Sequence, residues 1–226
     1  MLLHIIKRGG RGLPIVADDD DRWRYLKCLY YLNDKNHPIG WERDVEALGS
    51  GLHFQRPESW GGERDPYVDI LSYCLMDNHY HLFVSERDEG MMAAFTRSLN
   101  KSMSQAYNEK QDTSGSIFQG PPKKKFVEDD AYLKFLYVYV NVKNPFERYQ
   151  GGIRKAIENF DDAWEFALEY DFSSLPDCAG DRASPIVSLD IFRDAFSSSA
   201  EFKEFAREQM HRYGQFLEDV DADDLE

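Results

Sequence analysis

The chain has 226 residues, 42% hydrophobic and 14% aromatic, enough for one sizeable core or a compact domain with an extension. Its formal charge of −14 argues against a broadly basic nucleic-acid-binding surface, but residues 158–226 carry all of the excess, with 19 acidic and 5 basic residues against 22 of each in residues 1–157. No apolar stretch approaches the ~20 residues of a membrane span, the start Met1–Ile6 lacks a secretory pattern, and Cys28, Cys74 and Cys178 form no ligand spacing, so a reducing cytoplasm is expected.

Residues 2–7 read as a strand, followed by Arg8-Gly-Gly-Arg-Gly12, a turn whose glycine backbone can approach phosphates. Asp18–Asp21 mark a helix start, and a helix over residues 22–33 carries Trp23, Leu26, Leu29 and Tyr30 at helical spacing, a core face. Residues 34–66 are rich in Gly, Pro and charge without sustained periodicity; an irregular insertion is expected, and His37, His53, Trp41 and Trp60 within it receive no role. Residues 68–75 and 79–85 read as two strands joined by Met76-Asp77-Asn78, and residues 90–109 as a long helix.

Residues 117–127 read as a strand or edge strand interrupted by Pro121-Pro122, with the basic run Lys123-Lys124-Lys125. Asp129 and Asp130 open a helix expected to stop at Asn144-Pro145. Two further helices follow, at about 161–170 and 200–217. The order predicts an α+β fold, an antiparallel sheet with helices packed on it. The expected organisation is a domain over residues 1–150, a helical extension over 151–217 and an acidic, disordered tail over 218–226.

His79-Tyr80-His81 stands inside an apolar strand, where alternate positions share a face, so two imidazoles project together and can hold one divalent cation. Tyr137, Tyr139 and Asn141 follow on the 129–144 helix. A positioned tyrosine can act as a covalent nucleophile, and a cation that polarises a phosphoryl oxygen would assist it. Tyr137 and Asn141 are four apart and share a helix face, where the amide oxygen could join the metal shell. Arg8, Arg11, Lys123, Lys124 and Lys125 are the candidate phosphate contacts.

The stretch Ser72–Val84, with Met76-Asp-Asn-His-Tyr-His-Leu82, resembles the histidine-hydrophobic-histidine segment of the IS200/IS605-type single-tyrosine transposases, and most of all their REP-associated relatives. His4-Ile-Ile-Lys-Arg-Gly9 is similar to the family's opening strand and Arg-Gly turn. Ile117-Phe-Gln-Gly120 resembles a later strand, and Asp129–Leu133 through Asn144-Pro145 resembles the tyrosine-bearing helix. These matches span residues 2–146. The resemblance implies a ferredoxin-like HUH endonuclease fold, Mg²⁺ or Mn²⁺ held by His79, His81 and Asn141, and attack by a tyrosine on hairpin-associated single-stranded DNA. The products would be a 5′-phosphotyrosine and a free 3′-OH, as in DNA transposition, by a monomer or homodimer.

The family's Tyr-x-x-x-Asn-Pro leaves two candidate nucleophiles. Tyr137-Val-Tyr-Val-Asn141 keeps the four-residue spacing but lacks the proline, and geometry slightly favours this pair. The family's interval from Tyr132-Leu133 lands instead on Tyr139, with Lys143 at the fourth position and Asn144-Pro145 one residue too far. Pro121-Pro122 also departs from the family pattern. The alternative function is a non-catalytic binder of structured single-stranded DNA or RNA that keeps the fold.

Overall fold

The computed structural model describes residues 1–46 and 54–223, with side chains through residues 44 and 217 at the ends of those spans; His53 lies outside the described residues. The chain divides into two compact units, one of residues 1–71, 75–126 and 184–188, the other of residues 72–74, 127–183 and 189–226. The division after residue 126 puts the tyrosine-bearing helix with the C-terminal helices, where an expected boundary at 150 had grouped it with the sheet.

The first unit carries β1 (Leu2–Arg8), α1 (Asp19–Tyr31), α2 (Trp41–Glu46), β2 (Val68–Leu75) except its residues 72–74, β3 (His79–Glu86), α3 (Met91–Gln111) and β4 (Lys123–Phe126). The α+β expectation holds: the sheet runs β2-β3-β1-β4, with β1 antiparallel to both β3 and β4. The β2–β3 link is a tight hairpin in which Met76 N–H donates to the His79 carbonyl at 2.8 Å. On one sheet face Leu3, Ile5, Tyr80, Leu82 and Val84 are buried. Tyr80 meets Tyr25 of α1 at 5.4 Å between ring centroids and donates to Asn100 Oδ1 of α3 at 2.9 Å. Leu26, Leu29 and Tyr30 of the expected core face of α1 are buried, while Trp23 is only half-buried and Tyr25 is buried with them.

Two expected elements start or end elsewhere. Helix α1 begins at Asp19 because Asp18 caps it, its carboxylate accepting from Asp21 N–H at 3.2 Å. The expected strand over 117–127 is regular only at Lys123–Phe126. Ahead of Pro121-Pro122, Ile117 and Gln119 bond the backbones of Gly10 and Arg8 at 2.8 and 2.9 Å. The 34–66 stretch contains α2 and is tied by Asp34, whose buried carboxylate accepts from Arg56 Nε at 2.7 Å and from the N–H groups of Asn36 and Asp65.

The second unit carries α4 (Asp130–Val138), a π-helical turn (Tyr139–Lys143), α5 (Asn144–Phe146), α6 (Gly152–Glu158), α7 (Phe160–Leu168), α8 (Leu175–Ala179), α9 (Asp190–Ala195) and α10 (Ser199–Asp223). An aromatic core holds it together: Trp164, Phe192 and Phe196 lie 6.0, 5.1 and 5.0 Å from Phe202. Burial of such rings contributes roughly 1.5–3 kcal/mol each. Asn144-Pro145 does not stop the helix as expected. Pro145 has no N–H to give Asn141's carbonyl, and its ring would meet that carbonyl in a regular α-helix; the wide turn directly precedes it. No described helix is long and apolar enough to cross a membrane.

Candidate functional site

Strand register decides which side chains share the second face of the sheet. Arg8 pairs with His79, Ile6 with both His81 and Lys123, and His4 with Phe83 and Lys125. Directly opposed residues point the same way, so His4, His79, His81, Arg8, Lys123 and Lys125 belong to one face. Lys124 pairs with Ile5 and belongs to the other. A groove of about 420 Å³, lined among others by Ile6, Arg8, Gln119, Pro121, Pro122 and Lys123, adjoins this face. Arg11 stands exposed in the glycine turn with a left-handed backbone (φ 58°).

That turn is anchored to the histidine strand. Gly9 N–H donates to the Asn78 carbonyl at 2.7 Å, and Ile15 N–H to the Asp77 carbonyl at 2.8 Å. A Cβ on Gly9 would fall 2.0 Å from the Leu13 carbonyl oxygen, so only glycine fits. Asn78 Nδ2 donates to the Gly12 carbonyl at 3.1 Å, which orients the amide so that Oδ1 faces His79 Nδ1 at 2.7 Å. An amide oxygen only accepts, so His79 carries its proton on Nδ1 and its ring lone pair on Nε2.

The His79 and His81 rings lie 4.9 Å apart, centroid to centroid. His81 is buried, and its Nδ1 lies 3.0 Å from His4 Nε2, the two rings inclined by only 19°. Burial, with the Lys125 charge beside it, pushes the His4 pKa down to about 4, so His4 is neutral at physiological pH. Among the described residues no three His, Cys, Asp or Glu side chains converge as a ligand set. Two imidazoles alone do not fill a coordination shell, so a cation held by them would need further oxygens from an amide, water or phosphate.

The two tyrosines differ sharply. Tyr137 is fully buried against Phe192 and Phe196, at 5.2 and 6.2 Å, and burial drives its hydroxyl pKa far above the usual tyrosine range. Tyr139 is half-buried, with Phe135 at 6.0 Å and the Lys143 ammonium over its ring at 5.0 Å. Burial would discharge Lys143, but its hydrogen bond to Glu147 holds its pKa above the ordinary lysine value.

Asn141 does not suit the metal role expected of it. It is fully buried, its Oδ1 accepts from the Ser174 hydroxyl at 2.6 Å, and its Nδ2 reaches Cys178 Sγ at 3.6 Å. Asn144 is its opposite: equally buried, with neither amide atom hydrogen-bonded among the described residues. In the π turn the Asn144 N–H donates to the Tyr139 carbonyl, five residues back. That turn absorbs one extra residue, so Asn144 stands relative to Tyr139 where the fourth residue of an α-helix would. Sequence alone gives neither His4 nor Asn144 a role. Strand register reveals His4, and the Asn-Pro pair one residue out of place was the trace of Asn144.

The fold and this face together define an α+β protein bearing a histidine pair on a cationic antiparallel sheet. The chain is similar in structure to a REP-associated tyrosine transposase bound to a REP hairpin, at 12% identity, over 84% of this chain and 88% of that one, with a TM-score of 0.45. No family model and no curated protein matches the sequence.

Proposed function

We propose that this chain cleaves and rejoins single-stranded DNA, hairpin-forming at the cleavage site, through a covalent tyrosine intermediate and a divalent cation, Mn²⁺ or Mg²⁺. The observation that carries the reading is the histidine pair: adjacent rings on one sheet face, His79 fixed with its lone pair on Nε2, and cationic residues around them. Bound there, the cation would polarise a non-bridging phosphoryl oxygen. Arg8, Lys123 and Lys125 on that face attract the phosphate backbone, with Arg11 in the adjoining glycine turn, while Lys124 is on the opposite face.

Tyr139 is the nucleophile in this reading. Its phenolic oxygen attacks phosphorus, the bond to the 3′ oxygen breaks, and the phenolic proton ends on the released 3′-OH. The 5′-phosphotyrosine conserves the bond energy, so a 3′-OH can attack it, reform the phosphodiester and return the proton to the tyrosine. Tyr137, sealed between two phenylalanines, is disfavoured. Asn144, rather than Asn141, is then the amide that accompanies the tyrosine on its helix.

The test is adduct formation with labelled hairpin DNAs from sequence flanking the gene, in Mn²⁺ or Mg²⁺, resolved on denaturing gels. A metal-dependent protein–DNA adduct is expected, lost in His79→Ala and in Tyr139→Phe but kept in Tyr137→Phe. An adduct lost only in Tyr137→Phe would reverse the tyrosine assignment. Hairpin binding without any adduct would leave a non-catalytic binder.

A further inference from the structure

We infer that His4 is the positioning residue of the histidine pair: it accepts a hydrogen bond from His81 Nδ1–H and so fixes the tautomer in which the His81 Nε2 lone pair faces a cation. The inference rests on the metal-centre reading above and adds a residue to it.

Two imidazole nitrogens 3.0 Å apart can place the proton between them in two ways. If His4 donated, His81 would carry its proton on Nε2 and could not ligate through that atom. If His81 donates, both histidines of the pair present Nε2, because His79 Nδ1 already donates to the Asn78 amide oxygen. The neutral imidazole side chain by itself favours the Nε2–H form, so the ligating form needs an acceptor at Nδ1. His79 finds it in an amide held by the Gly12 carbonyl. His81 finds it in His4, diagonal to it across β1 and β3.

The geometry suits that task. Both rings are buried and inclined by 19°, and their centroids lie 5.3 Å apart across a 3.0 Å nitrogen–nitrogen contact, so the contact runs along the line of centroids and close to both ring planes. His4 is not itself a third ligand, since no such set forms among the described residues and its Nε2 is committed to His81. A ligand histidine whose second nitrogen is bonded to an acceptor is the usual arrangement of metal sites, and loss of that acceptor typically weakens metal binding about 10–100-fold.

The experiment uses the full chain and two readouts. Long-range ¹H–¹⁵N NMR on the metal-free protein at neutral pH should show His81 protonated at Nδ1 and bare at Nε2. Calorimetric titration with Mn²⁺ should show His4→Leu binding about 10–100-fold more weakly than the wild type, with His4→Gln, whose amide oxygen can accept, within a few-fold of it. An Nε2–H tautomer of His81 in the wild type would overturn the inference. So would a folded His4→Leu protein with wild-type Mn²⁺ affinity. Should His4→Leu fail to fold, the wild-type tautomer and the His4→Gln titration decide. A wild type that binds no Mn²⁺ would sink the metal-centre reading alone, and the His81 tautomer would still judge His4.

Discussion

Asn141 and Asn144 are buried alike and use their amides in opposite ways. The Asn141 oxygen is satisfied by Ser174, so this side chain stabilises the helical unit from within. Asn144 has both amide atoms without a hydrogen-bond partner among the described residues, a state that costs on the order of 1–3 kcal/mol when a polar group is left dry. A fold retains such a group where a bound ion, water or substrate completes it. Replacing Asn144 with the similarly shaped, apolar leucine should therefore leave thermal stability unchanged or raise it by about 1 kcal/mol. The same change should slow adduct formation about tenfold or more. Asn141→Leu should do the reverse in stability, since it removes the buried bond from the Ser174 hydroxyl, which keeps only its contacts with Ser72 and Tyr73. Calorimetric melting beside the gel assay reads both. A destabilised Asn144→Leu protein with normal adduct yield would return Asn144 to the core.

At the scale of elements, the π turn is what reconciles the spacing of the helix with the chemistry proposed for it. A regular helix rotates about 100° per residue, so a fifth-position asparagine would face away from Tyr139. The wide turn over Tyr139–Lys143 takes up that rotation. Deleting Lys143, half-buried like Tyr139 in the same turn, should let the segment as far as Asn144 close as α-helix, with Asn144 in the fourth position and the proline bend one residue earlier. Adduct yield is then expected to stay within several-fold of the wild type, allowing for the lost bond to Glu147. Inserting an alanine after Lys143 should swing Asn144 away by about 100° and abolish the adduct while helicity persists. Equal activity in both variants would detach Asn144 from the chemistry. This also explains which elements could be read beforehand. His79 and His81 follow from strand alternation alone, and the strands, α3 and the tyrosine helix follow from periodicity and caps. The choice of Asn144 over Asn141 depends on a hydrogen bond from residue 144 to residue 139, and His4 on the pairing of β1 with β3. Neither is a local property of the chain.

For the molecule as a whole, charge is the property that composition reports worst. A total of −14 hides a neutral first 157 residues, whose strand register collects Arg8, Lys123 and Lys125 on the histidine face. The unit boundary after residue 126 was equally hidden, because an apolar helix stripe records that a face is buried and not against what. Six carboxylates lie among the last nine residues. If DNA binding is driven by the cationic face, this terminal charge acts only through long-range repulsion of an approaching phosphate chain. Deleting residues 218–226 should then tighten the hairpin affinity a few-fold at low ionic strength. The gain should vanish near 1 M salt, where the screening length falls to about 3 Å. Fluorescence anisotropy across a salt series separates the possibilities. A gain that persists at high salt would make the terminal segment a direct competitor for the DNA surface. Weaker binding on deletion would make it part of the binding surface, with its acidic side chains engaging the DNA through bases or bridging cations.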